Sequence, residues 1–359
     1  MAGERARGSE AGTAAARLAR LHISRPIQDS AAGMVRRLVA MQAQDFAGAK
    51  WAIGLRLTHV HEAEVERAFN AGEILRTHVL RPTWHFVAPE DIRSLLLLTG
   101  PRILLQNASM CRRLGLDAPT LGRSARAIAK ALDGGGYLTR EALRAVVQAA
   151  GIPTDGMQRM AYIMMHAELT GVVCSGPRVG RQFTYALLDE RVPPVRWVAR
   201  EEALADVAAR YYTTRAPATP HDFAKWCGLT VLEASRAFAA LPAPPPVRPA
   251  RGIPRLHLLS IYDEYISSYR DRSAIVSPDH GRRLIHQGAA LVWAIVLDGQ
   301  IVGTWRRVLA RGRVTIEPTL FVRFSRAERD ALEVAAHRYG AFLGVPVDVV
   351  DAKPARPMR

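Results

Sequence analysis

The sequence predicts an α+β protein of three tandem winged helix-turn-helix units followed by a C-terminal β-sheet or barrel-like portion. Three observations carry that expectation. A helix, helix, basic-hairpin cadence recurs along the first 250 or so residues. Its hairpin tips combine Gly and Pro with Arg, as in "SGPRVGRQ". The last third alternates apolar and polar residues around an Asp298-Gly299 turn, the strongest short-range hairpin signal.

In chain order, residues 1–12 read as a disordered leader, with no apolar segment of signal-peptide or anchor type. The first unit, residues 13–98, opens on Ser30, which can cap a helix with Met34, Leu38 and Met41 on one stripe. "HEAEVERAFNAGEI" follows as an amphipathic helix closed near Gly72, and "ILRTHVLRPTWHFV" reads as two short strands broken at Arg81-Pro82. Residues 99–192 repeat the plan: a helix, the turn "DGGG", a helix starting near Thr139, a longer helix and a hairpin. Residues 193–252 form the third unit, in which Thr219, Gly228 and Thr230 punctuate two short helices and "PAPPPVRPARGIP" is a stiff break. Residues 253–359 are β-rich, with a second turn at Ala310-Arg311-Gly312 and a terminal helix from Arg326 to Phe342.

The net charge of +16 points to a polyanionic partner. Only four cations are lysines (Lys50, Lys130, Lys225, Lys353), and arginine is the better fork for phosphate and base edges. A GC-rich genome accounts for that ratio as readily, but not for the net charge. Cys111, Cys174 and Cys227 are far apart and lack zinc-ligand spacing, and no His-Glu-x-x-His occurs. The expectation is a reduced, cytoplasmic protein with no metal and no cofactor.

Within "LVAMQAQDFAGAK", Gln42 and Gln44 are two apart. On a helix they point about 200° apart, so they share a side only if the helix ends near Met41 or Gln42. Asp45 suits that as an N-cap for a following helix from about Phe46. The bland alternative is a pair of solvated amides at a helix end.

"LVAMQAQDFAGAKWAIGLRL", "LRTHVLRPTWHFVAPEDIRSLL" and "LLSIYDEYISSYRDRS" resemble segments of the AlkZ/YcaQ family of bacterial DNA glycosylases, and the resemblance runs from about Ala15 to Phe342. It implies tandem winged helices plus a β-structured portion, and an enzyme that unhooks N7-alkylguanine monoadducts and interstrand crosslinks. The family's Gln-Φ-Gln or Gln-Φ-Asp motif falls on Gln42-Ala43-Gln44, the AlkZ-like form, with Ala43 a small occupant of the middle position. A base alkylated at N7 is already cationic and needs no general acid, so what remains is to orient a water at C1′. A carboxamide oxygen can do that. The resemblance therefore implies Gln42 and Gln44 as catalytic residues. Asp45 is a candidate base, with its cap role the stronger expectation.

In "RPTWHFV", Arg81, Thr83 and His85 alternate on one strand face near the site, with Trp84 on the other, expected in the core. Candidate DNA contacts are Arg37, Lys50, Arg178 and Arg181 in the first two units, and Arg306, Arg307, Arg311 and Arg313 around the late turn. Asp263 and Glu264 are adjacent, which disfavours a catalytic pair; Asp263 is expected to pair with Arg270 or Arg272. "LDGGGYLT" lacks the Lys-Ser/Thr of a P-loop, and no lysine is flanked as in a lyase.

The resulting expectation is a monofunctional glycosylase, monomeric, acting on double-stranded DNA that contains cationic N7-alkylpurines. Crosslink unhooking and self-resistance to a DNA-alkylating natural product fit the resemblance. The alternative from another class is a non-catalytic winged-helix regulator, which would bind spaced half-sites as a symmetric dimer. A family member that binds DNA and releases nothing is the other.

Overall fold

The computed structural model describes residues 2–156, 158–194, 196–243, 256–286 and 292–354. Helix α1 (Ala2–Arg20) begins well before residue 13, in place of the expected leader, because this stretch is rich in Ala and other strong helix formers. The first unit runs α2 (Ala31–Leu38), β1 (Ala40–Gln42), α3 (Phe46–Gly54), α4 (Glu62–Ala71), β2 (Leu75–Val79) and β3 (Thr83–Val87). Its strands form a sheet in the order β1-β3-β2. Ser30 and Asp45 cap α2 and α3 as expected, and left-handed Gly72 closes α4. Met41 does not extend the α2 stripe: the helix stops at Leu38 and Met41 lies in β1.

The long helix α5 (Pro89–Arg113) crosses the boundary expected at residue 98, so the first two units share one rod. The second unit then runs α6 (Ala118–Leu132), β4 (Leu138–Thr139), α7 (Arg140–Ala149), α8 (Arg159–Leu169), β5 (Val173–Ser175) and β6 (Thr184–Leu187), with sheet order β4-β6-β5. Both units thus repeat helix, strand, helix, helix, strand, strand. After the short α9 (Leu188–Arg191) come α10 (Arg200–Arg215), α11 (Pro220–Cys227) and α12 (Val231–Ala239). Capping boxes at Thr219 and Thr230 and left-handed Gly228 set the α11–α12 turn. Among the described residues these helices have no strand of their own. Most of the Pro-rich break lies outside the described residues, and the next strand joins another sheet.

That sheet comprises β7 (Leu256–Leu258), β8 (Ala294–Leu297), β9 (Gln300–Ala310), β10 (Arg313–Leu320), β11 (Val347–Val349) and β12 (Lys353–Pro354). Between them lie α13 (Glu264–Ser267), α14 (Pro278–His286) and α15 (Arg326–Leu343). The order β11-β10-β9-β8-β7, with β12 also on β10, leaves an open half-barrel. The turns at Asp298-Gly299 and Arg311-Gly312 both form. The parallel strands β11 and β12 after α15 have no counterpart in the sequence reading, being too short to show a period.

The β-rich portion is not an independent body. Leu18, Met34 and Trp51 share a core with Tyr265, Trp305 and Tyr339. Trp51 and Trp305 donate their ring N–H groups to Leu258 and Leu259 carbonyls at 2.8 and 2.9 Å. A Cβ on Gly54 would lie 2.5 Å from the Phe342 ring, so glycine permits the close approach of α3 to α15. The two faces of the first sheet bury into different cores. Met41 and Phe86 join this one, whereas Ala40, Leu75, Val79 and Val87 pack with Tyr211, Phe223 and Trp226 of α10 and α11.

Candidate active site

The site grows from the break between α2 and β1. Val39 holds φ +67°, a costly conformation for a β-branched residue that persists only where its surroundings impose it. Buried Arg215 does so, its Nη2 donating to the carbonyls of Leu38 at 3.1 Å and Ala40 at 3.3 Å. The helix therefore ends several residues before the two amides, which then run into extended chain.

β1 lies antiparallel to β3 with Gln42 directly opposite His85, and Thr77 of β2 flanks His85 on its other side. Gln42, Thr77, Thr83 and His85 share the face that turns toward α10 and α11. The Gln42 backbone N–H donates to Glu264 at 3.0 Å. Glu264 also accepts from Arg215 (3.0 Å), Trp226 (3.0 Å) and Ser268 (2.6 Å), tying β1, α10, α11 and α13 together. Desolvation alone would raise the Glu264 pKa, but Arg215, Ser268 and the Gln42 N–H outweigh it and hold it at about 2. Glu264 is thus a buried anion that braces the strand.

Asp263 caps α13 and forms a buried bidentate pair with Arg56 at 2.7 and 2.9 Å, rather than pairing with Arg270 or Arg272. The bidentate Arg56 guanidinium offsets the desolvation of the buried carboxylate, a pairing across 207 residues that sequence proximity does not reveal. The adjacent acids act apart and structurally.

The two amides are not equivalent. Gln44 is exposed, whereas Gln42 is buried and its Oε1 has no hydrogen-bond partner. Asp45 is engaged as the α3 cap, accepting from the Gly48 N–H at 2.6 Å. His85 is fully buried, its Nδ1 2.9 Å from the Thr83 carbonyl. Burial first, and then Arg81, push its pKa down to about 3, so the ring is neutral. Trp84 is not the core residue of the pair: it is half-buried on the opposite face, with the His78 ring tilted against it and the Arg76 guanidinium over its ring.

Arg81 lies at the β2–β3 turn, its Nη1 3.5 Å from the Lys225 carbonyl. Lys225 donates to the Ser267 carbonyl and Arg272 to that of Ile266. Desolvation, with Arg81 and Arg272 adding repulsion, lowers the Lys225 pKa to about 8. Among the described residues none of these three cations has an ion pair of its own, and their surplus charge suits an anion. Arg215, Glu264, Lys225 and Arg272 were not singled out as site residues by sequence. They come from three distant segments, and only the Trp226–Glu264 neighbourhood brings them together.

The candidate DNA contacts divide. Lys50 is buried between Glu62 (3.0 Å) and Glu66 (2.5 Å), so it braces α3 against α4 and meets no partner outside. Arg178 pairs with Glu66 at 2.6 Å and lies over Phe46 and Phe183, so it anchors its hairpin instead of projecting from it. Arg307 is held by Trp293 and Tyr339, and Arg313 by Asp348. In each case a nearby aromatic ring or acid already engages the cation. Arg37 is exposed with Asp29 3.5 Å away, and Arg181, Arg306 and Arg311 are exposed. The β9–β10 tip also presents Val308 and Leu309, 46% and 57% exposed, an apolar feature that charge-based reading passes over. Among the described residues no helix is long and apolar enough to cross a membrane, and no group of three His, Cys, Asp or Glu could hold a metal.

Comparison with known proteins gives a consistent result. The family described as DNA glycosylase AlkZ-like matches residues 35–342. An interstrand DNA cross-link repair glycosylase of Streptomyces sahachiroi is 23% identical over 363 residues, covering 93% of this chain and 97% of the relative. The solved structure of the S. sahachiroi DNA glycosylase AlkZ superposes with a TM-score of 0.74 at 22% identity, covering 95% of this chain and 99% of that one.

Proposed function

Because the chain belongs to the AlkZ-like DNA glycosylases, we propose that it is a monofunctional enzyme excising cationic N7-alkylpurines from duplex DNA, with Gln42 and Gln44 as its working amides. The observation that carries this reading is the helix break at Val39: it frees the amides from a helix, with Gln44 exposed and Gln42 buried two residues before it. In the reaction a water oxygen bonds to C1′ and the C1′–N9 bond breaks. Its electron pair neutralises the departing N7-alkylguanine, and the water's proton passes to solvent, leaving an abasic site. Gln44 orients the water and Gln42 supports it from below.

The two units with matching element order act as winged helices, and α10–α12 as a third helix-turn-helix, in a monomer that grips the duplex without swallowing a base. Arg37, Arg181, Arg306 and Arg311 take backbone phosphates, and the Arg81–Lys225–Arg272 cluster takes one beside the lesion. The cross-link activity named for the Streptomyces relative extends to this chain as unhooking of N7-linked interstrand crosslinks. Self-resistance to a DNA-alkylating natural product fits such an activity.

The test is incubation with N7-methylated and with crosslinked duplex, scoring alkali-labile abasic sites. Release by the parent, and its loss in Gln42→Ala and Gln44→Ala, is the expected result. DNA binding without release would make the protein a regulator or an inactive relative. Variants as fast as the parent would remove the amides from the mechanism.

A further inference from the structure

One face of the first sheet carries four buried side-chain atoms without a partner: Gln42 Oε1, Thr77 Oγ1, Thr83 Oγ1 and His85 Nε2. Their residues are neighbours by register, His85 lying opposite both Gln42 and Thr77, with Thr83 two places along the same strand. An unsatisfied buried polar atom costs about 1–3 kcal/mol, so four together would consume much of a domain's stability. Other buried atoms among the described residues also lack a partner, such as Arg140 Nε, Thr154 Oγ1 and Ser260 Oγ, but here four crowd one face of one sheet, and buried polar groups gathered in this way make a site.

The chemistry of the four atoms specifies the occupant. His85 Nδ1 lies 2.9 Å from the Thr83 carbonyl, an acceptor, so Nδ1 carries the hydrogen and Nε2 is a bare acceptor. The Gln42 oxygen opposite it is also an acceptor. Two acceptors on side chains whose Cβ atoms stand about 5 Å apart cannot bond each other. A water donates to both, and the Thr77 and Thr83 hydroxyls can satisfy its lone pairs.

We propose that this face binds a fixed water joining Gln42 Oε1 to His85 Nε2, and that His85 is the positioning residue that sets the Gln42 carboxamide through it. The oxygen is tethered inward by the water, the NH2 is turned toward the DNA side, and the amide cannot rotate. An imidazole serves because it is rigid, neutral and locked in one tautomer by its neighbour's carbonyl. Burial first, and the Arg81 charge after it, oppose its protonation. The inference rests on Gln42 belonging to the excision machinery.

The test compares the parent, His85→Leu, His85→Gln and Gln42→Ala. It reads single-turnover release of N7-methylguanine, duplex affinity and thermal midpoint. His85→Leu should slow release about 100-fold, the scale of a small misplacement of a reacting group, with affinity unchanged. His85→Gln, whose amide oxygen reaches near the Nε2 position, should recover at least about 10-fold of that loss. Release by His85→Leu at the parent rate, or a His85→Gln as slow as His85→Leu, overturns the proposal. If His85→Leu does not fold, Thr77→Val decides: a drop of about 10-fold supports the water site, and the parent rate overturns it. If the parent releases nothing, the functional reading has failed instead. A long-lived water cross-peak to the Gln42 NH2 protons by NMR, present in the parent and lost in His85→Leu or Thr77→Val, then supports the site, and its absence in the parent overturns it.

Discussion

The first and second sheets share one strand order and one sequence of elements, yet they are finished differently. In the second, the buried hydroxyls are bonded: Thr184 donates to the Pro177 carbonyl, and Ser175 accepts the Arg76 N–H at 2.8 Å. In the first, four polar atoms on a single face have no protein partner. The hairpins differ as well. The β2–β3 turn is packed in, with Leu80 1% exposed, and a Cβ on Gly228 would come 2.1 Å from its carbonyl oxygen. The β5–β6 connection projects, with Val179 62% exposed. Topology therefore does not make the site. The hydroxyls of one copy are bonded within the protein, while the other keeps polar capacity in its core, and that is where strain and unpaired groups concentrate in functional proteins.

The largest effect that could break this contrast is on excision. Gln42→Ala with Gln44→Ala should lower single-turnover release about 1,000-fold, the scale of removing preorganised polar groups, while Ser175→Ala in the second sheet leaves the rate within about 2-fold. Equal losses from both sheets would erase the distinction. Next comes stability. Thr184→Val should cost about 1–2 kcal/mol by denaturant titration, because it strands a bonded partner, whereas Thr77→Val should change stability by less than about 0.5 kcal/mol.

A smaller effect separates neighbouring arginines of the second hairpin. Arg181→Ala should reduce the salt slope of duplex binding by about 1, and Arg178→Ala should leave the slope unchanged. Arg178 is paired with Glu66 and has no charge to spare for a phosphate. The smallest effect is on pH. With His85 lowered from 6.5 to about 3, the unfolded chain binds a proton the folded one refuses. Stability from this group is complete above pH 6.5 and is lost as pH falls toward 3, so the pH–rate profile should show no imidazole limb from His85 near pH 6.5. Glu264, depressed to about 2, likewise contributes above its ordinary value of 4.5 and loses that contribution between there and pH 2.

Much of this was legible in the chain. Caps at Ser30, Asp45, Thr139, Thr219 and Thr230, and the turns at Asp298 and Arg311, act locally and read directly from residue type. The motif Gln42-Ala43-Gln44 and the need for a helix stop before it were visible too. What could not be read was the place and cause of the stop. Val39 in a left-handed conformation runs against its own preference, and the guanidinium that imposes it lies 176 residues away, at Arg215. The fates of Lys50 and Arg178 were hidden for the same reason, since acids on α4 neutralise them only after the chain folds.

By itself the sequence determined the periodic elements, the basic balance and the identity of the amides, because these depend on residue type and on spacing within one turn or one strand. Only the tertiary structure decided which amide is buried, which arginines remain unpaired, and that His85 faces Gln42. Those outcomes depend on which distant groups compete for the same hydrogen bonds once water is excluded, and local spacing carries no information about that competition.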